Sequence, residues 1–237
     1  MRRWARDGLT GVKIYTSGGV LSRGDKPAWR NHTPAEIAAT VDEAHALGMR
    51  VAAHAHSAEG IAIALQHGVD SIEHATGMTS EQTEVLAARR IPVAPTLLIN
   101  EITAAGRPGG SPESVRKAAD MVAARDEHFA AAAAAGVRFV LGTDASGYFV
   151  TFDGAWAEMR RMAEIFGWNA DRVLRAATSD AADALGLSSV RGRLAPGLPA
   201  DLVVVRRRPQ DDPEAWHPER VVAVVSRGLL VAGSLPG

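Results

Sequence analysis

Val-Ala-Ala-His-Ala-His (51–56) is an apolar run that closes on polar groups, and a helical pattern follows it at once. Three other segments have the same form: Gly-Val-Lys-Ile-Tyr (11–15), Ser-Ile-Glu-His-Ala (71–75) and Phe-Val-Leu-Gly-Thr-Asp (139–144). Short apolar strands alternating with amphipathic helices are the pattern of parallel β/α units. In a (β/α) barrel that layout puts Lys13, His54, His74 and Asp144 around the carboxyl-terminal rim, where such folds keep their sites. Two imidazoles, a carboxylate and a lysine suit a divalent metal better than a covalent triad.

Working outward, the spacing predicts strands over 11–16, 50–56, 69–74, 91–98 and 137–143. The two prolines of Ile-Pro-Val-Ala-Pro-Thr (91–96) weaken the fourth. Helix signals lie between them. Thr33-Pro34-Ala35-Glu36 reads as a capping box with proline in the first turn, and Gly48 follows the last turn. Further helices are expected over 58–66, from Thr79, over 111–135, 155–166 and 170–185. From residue 188 the composition changes. Gly192, Pro196, Gly197 and Pro199 break up the chain, and 202–205 and 221–225 read as strands. The expected division is a partial barrel over 1–187, with about five strand–helix units, and a small β appendage over 188–237. The fold class is α/β, a partial (β/α)8 TIM-type barrel.

Composition narrows the function. The chain has 237 residues, 46% of them hydrophobic, which suits a packed core rather than disorder. Lys+Arg 26 against Asp+Glu 27 gives a net charge of −1, so no nucleic-acid partner is indicated. With no cysteine, any metal must be held by nitrogen and oxygen. No apolar run reaches a membrane span, and the opening Met-Arg-Arg-Trp-Ala-Arg-Asp-Gly lacks the apolar stretch of a secretory signal. A cytoplasmic location without a membrane partner is the expectation.

Taken alone, several of these residues have an ordinary structural reading. Lys13 could snorkel to a barrel mouth, and Asp144 could cap the turn that follows it. His54 and His56, two apart on a strand, share a face. By the same alternation Glu73 should face the surrounding helices. Arg23, Lys26 and Arg30 read as a solvated loop that could meet a substrate carboxylate.

The order of motifs adds to this. Lys-Ile-Tyr-Thr-Ser-Gly-Gly-Val (13–20), Val-Asp-Glu-Ala-His-Ala-Leu-Gly (41–48), His-Ala-His-Ser (54–57), Gly-Val-Asp-Ser-Ile-Glu-His (68–74) and Gly-Thr-Asp (142–144) together resemble the amidohydrolase superfamily, in its prolidase-like and imidazolonepropionase-related branch. Gly-Arg-Leu-Ala-Pro-Gly-Leu-Pro-Ala-Asp-Leu-Val-Val (192–204) resembles that family's return to a small β domain. The resemblance implies a metal-dependent hydrolase of amide or peptide C–N bonds in small molecules or dipeptides. It implies zinc as the metal and a CO₂-derived carbamate on Lys13. His54, His74 and Asp144 would be ligands, with Asp144 also moving the proton, and His56 a rim residue, either a substrate contact or simply a satisfied polar side chain. Family members carry His-x-His on a strand well before the lysine strand, whereas here the lysine is residue 13. The expectation is therefore a C-terminal portion with one weakened metal site, either a homo-oligomer or a piece needing a separate N-terminal segment. An inactive remnant, or a lyase using Lys13 as a Schiff base, are the rival readings.

Overall fold

A computed structural model describes residues 1–106, 110–212 and 215–235. After a short helix α1 (Arg2–Arg6), the elements alternate. They run β1 (Gly11–Tyr15), α2 (Pro34–Ala46), β2 (Arg50–Ala55), α3 (Ala58–His67), β3 (Ser71–His74), α4 (Ser80–Ala88), β4 (Pro92–Ala94), α5 (Leu97–Ala104), α6 (Pro112–Ala134) and β5 (Arg138–Phe139). The strands form one parallel sheet in the order β1-β2-β3-β4-β5. Sequential parallel strands, each returned by a helix, form the expected partial barrel of the TIM type.

The register separates two faces. Ile14, Ala53, Ile72, Val93 and Phe139 lie side by side across all five strands and are buried against the helices. Tyr15, His54, Glu73 and Ala94 form the matching row on the opposite face. Glu73 therefore belongs with the inner face and not, as strand alternation relative to His74 suggested, with the helices. His74 is the residue that breaks the alternation. On the inner face of β1, Lys13 is exposed and Tyr15 is 45% exposed.

Local chemistry explains the element ends. Thr33 and Glu36 make the reciprocal capping box that starts α2, and Thr79 and Gln82 make another at α4. Ser57 caps α3, and Gly68, at φ 77°, ends it in the left-handed conformation. The strand expected over 91–98 stops at Ala94. Pro95 has no N–H for the ladder, Thr96 turns left-handed (φ 47°), and α5 begins. The strand expected over 137–143 is regular only over Arg138–Phe139. The backbone of Val140 still reaches Val93 O, and then Leu141 N turns away to Ala176 O.

Beyond β5 come α7 (Ala155–Phe166), α8 (Ala170–Ala177) and α9 (Ser179–Ala184). The single helix expected over 170–185 is thus divided at Thr178. Strands β6 (Leu202–Val205), β7 (Val221–Ser226) and β8 (Leu229–Gly233) make a small antiparallel sheet. Trp216 fastens this region by packing with Met159 of α7 and Val173 of α8. Among the described residues no helix is long and apolar enough to cross a membrane.

One close approach sets how α3 meets the loop after β1. A Cβ on Gly60 would lie 2.7 Å from Ser17 Cβ and 3.2 Å from the carbonyl oxygen of Thr16. Ser17 in turn accepts from the His56 N–H at 2.7 Å. Gly60→Ala is expected to cost about 1–3 kcal/mol through overpacking, despite alanine's better helix propensity. Thermal unfolding followed by circular dichroism should show the drop, and an unchanged or raised melting temperature would refute the close packing.

Candidate metal centre

The imidazoles of His54, His56 and His74 converge at the carboxyl ends of β2 and β3. The His56 and His74 rings stack with centroids 4.5 Å apart and planes 16° from parallel. His54 stands edge-on to both, at 4.7 Å from His56 and 4.5 Å from His74. One ring nitrogen from each lies within 4.8 Å of the others. All three are buried, at 7%, 3% and 3% exposure.

Neighbouring loops fix this arrangement. Thr16 donates to the His54 carbonyl through both its N–H and its hydroxyl. The Gly77 N–H donates to the His56 carbonyl at 2.8 Å. His74 reaches the site by a backbone device. Its φ is 73°, and the Ala75 N–H lies 3.0 Å from both Glu73 O and Ala55 O, closing a tight turn about His74. A side chain that strand alternation would aim with Ile72 is swung into the cluster. Thr96 and Asp144, at the ends of β4 and β5, are left-handed as well, at φ 47° and 53°. Strained backbone of this kind gathers where a site is being shaped.

Two of the rings are held through Nδ1, and the His54 Nε2 lies 3.4 Å from the Gly18 carbonyl oxygen. His56 Nδ1 lies 2.7 Å from Thr76 Oγ1, and His74 Nδ1 lies 2.6 Å from Thr96 Oγ1. With Nδ1–H donating to the hydroxyl, each Nε2 keeps its lone pair. Burial lowers the pKa of His54 and pushes those of His56 and His74 well below the usual range. Lys13 acts in the same direction on all three and neighbouring imidazoles on His56 and His74, while the Gly18 carbonyl, Asp144 and Asp25 oppose the shift at His54. Neutral imidazoles at neutral pH bind metals; imidazolium cations do not.

Lys13 and Asp144 line the same cavity, of ≈ 180 Å³, together with Tyr15, Asn100 and Thr103. Lys13, His54, His56, His74 and Asp144 thus meet at one place. His56 is not at the rim; it is buried within the triad. Lys13, its Nζ 5.7 Å from the centre of the Tyr15 ring, stands on the open side, and Asp144 is exposed. Glu73, on the same face, has its carboxyl pKa raised by burial. Arg23, Lys26 and Arg30 do not line the cavity; Lys26 lies over Trp29 instead. Three neutral imidazoles, a carboxylate and a lysine, with hydroxyls behind two of the rings, fit a divalent ion with nitrogen and oxygen ligands.

The amidohydrolase family profile matches residues 2–231. The chain belongs to the amidohydrolase family. Ochratoxinase of Aspergillus niger is 30% identical over 233 residues, covering 96% of this chain and 47% of its own length. An uncharacterized protein of Mycobacterium tuberculosis is 31% identical over 199 residues, 83% of this chain and 51% of its own. The chain spans about half the length of the curated relatives it matches. Among solved structures, a prolidase complexed with N-methylphosphonate-L-proline superposes with a TM-score of 0.90 at 34% identity, over 98% of this chain and 57% of that one. A Xaa-Pro dipeptidase with methionine in its active site gives 0.86 at 35%, over 98% and 57%.

One support of this amidohydrolase site had no sequence signal. Glu158 of α7 is fully buried and accepts from the N–H groups of Leu97 (2.6 Å) and Leu98 (3.0 Å), directly after Thr96. Arg125 of α6, also buried, donates to Leu97 O at 3.0 Å. Burial pushes the Glu158 carboxyl up to about 7, against the lowering effect of both backbone bonds and of Arg125. A carboxyl whose folded pKa exceeds its unfolded value favours the fold below the unfolded pKa and loses that contribution as pH rises toward the folded one. Wild-type stability relative to Glu158→Gln should therefore fall between about pH 4.5 and 7. Denaturant unfolding of both proteins across that range measures it, and a constant difference would contradict the raised value.

Proposed function

We propose that the cavity holds a divalent ion, zinc by the nature of its donor set, and that the protein hydrolyses amide or peptide C–N bonds of small substrates, dipeptides or cyclic amides among them. The observation that carries this reading is the meeting of three buried, neutral imidazoles with Lys13 and Asp144 in one cavity at the strand ends. The prolidase, Xaa-Pro dipeptidase and ochratoxinase relatives support it. His54, His56 and His74 would supply nitrogen to the ion. Lys13 would join them as a carbamate: its amine nitrogen bonds to CO₂ and loses a proton, leaving one negative charge shared by two oxygens. Asp144 would complete the set.

When bound, such an ion polarises the substrate carbonyl and brings the pKa of a water toward roughly 7. The remaining work falls to the chain's own groups. The Asp144 carboxylate takes the proton of the attacking water and returns it to the leaving nitrogen as the C–N bond breaks. Thr76 and Thr96 keep the His56 and His74 rings in one orientation throughout.

The open inner face of β1 favours a second reading in which activity needs that face covered, by another copy of the chain or by a further segment. Specific activity would then rise with protein concentration. His54→Ala is expected to lose bound metal and to lower hydrolysis of a dipeptide panel by about a hundredfold or more. Elemental analysis and an amine-release assay check it; unaltered metal and rate would refute the assignment.

A further inference from the structure

Asn100 belongs to the cavity wall that α5 provides, beside Ile99 and Thr103. It is 3% exposed, and its Nδ2 is buried without a hydrogen-bond partner among the described residues. Its neighbours do not share this state. Thr103 donates its hydroxyl to Ile99 O at 2.6 Å, and the backbone N–H groups at the start of α5 are taken by Glu158. An unpaired buried amide disfavours the folded state, and asparagine is a poor helix residue. A leucine would fill the same volume without either defect. A polar side chain kept in the wall of a cavity that also holds three imidazoles is placed to meet what the cavity binds.

We propose that Asn100 is a substrate-binding residue whose carboxamide donates a hydrogen bond to an uncharged carbonyl oxygen of the substrate, other than the oxygen of the bond being cleaved. The inference rests on the reading of this cavity as an amide-hydrolysing site. The nitrogen and oxygen of the carboxamide can be exchanged by half a turn, which sets the N–H toward the cavity and leaves Oδ1 in the buried place. The chemistry of the wall selects the acceptor. Val20, Leu21 and Ile99 of the lining are apolar, and among the described residues its one basic side chain besides the histidines is Lys13, with no arginine. A neutral amide among apolar neighbours matches a neutral carbonyl better than a carboxylate. The substrate class is then a small molecule with two carbonyl groups, one cleaved and one held by Asn100, such as an N-acyl amino-acid amide.

Asn100→Leu tests this in two ways. Without substrate, removal of the unpaired amide should raise the melting temperature, by about 2–4 °C. With N-acetyl-L-leucinamide, KM should rise about tenfold while kcat stays within about threefold, the effect of one lost hydrogen bond. With N-(3-methylbutyl)acetamide, which lacks the second carbonyl, KM should not change. A lowered melting temperature would mean that Asn100 is structural and would overturn the proposal. So would an unchanged KM for the diamide in a variant that binds metal and turns over. If the wild-type protein holds no metal and cleaves neither compound, the hydrolase reading itself fails, and this inference fails with it.

Discussion

The hydrogen bond between His74 and Thr96 is the contact on which the site depends. It joins two residues whose backbones are both left-handed, a conformation that costs an L-residue on the order of 1 kcal/mol or more. Neither would hold alone. Thr96 is kept in place because α5 starts immediately after it, and the start of α5 is tied to Glu158 and Arg125. Arg125 is tied in turn to Glu101, which also pairs with Arg161. A buried polar chain running through α5, α6 and α7 thus ends on the orientation of one imidazole. Breaking such a chain leaves uncompensated buried groups, so its members act as a unit.

That dependence explains what the sequence shows and what it conceals. The alternation of apolar strands with capped helices was legible because it is local. Thr33 with Glu36, Thr79 with Gln82, and Gly68 each fix an element end through residues a turn apart. His54 and His56 were legible as a same-face pair for the same reason. The role of His56 was less so. Its place within the triad depends on Thr76 and on the stacked His74 ring, one in the turn after β3 and the other at the end of that strand.

Two of the errors have one physical origin. The facing assigned to Glu73 failed because alternation was counted from His74, and His74 departs from alternation. The strand expected over 91–98 ran on into α5, because a left-handed threonine after a proline ends the strand and starts a helix within two residues. Periodicity cannot register a single change of φ sign. Asn100 lay between the assigned elements and Glu158 in an ordinary helix, and only packing shows one unpaired among the described residues and the other capping a distant turn. β8 escaped notice because none of its residues is buried, leaving no inward pattern to read.

The sheet also shows how the fold divides its labour. The row Ile14, Ala53, Ile72, Val93 and Phe139 secures the strands to the helices, and the opposite row is left free for polar side chains. Whether those side chains form a metal centre is decided by the metal content of the protein purified with zinc and bicarbonate, measured by elemental analysis. The arrangement described here predicts about one tightly bound ion per chain, released reversibly as the histidines are protonated. Protein that keeps its fold and binds no ion under those conditions would contradict it.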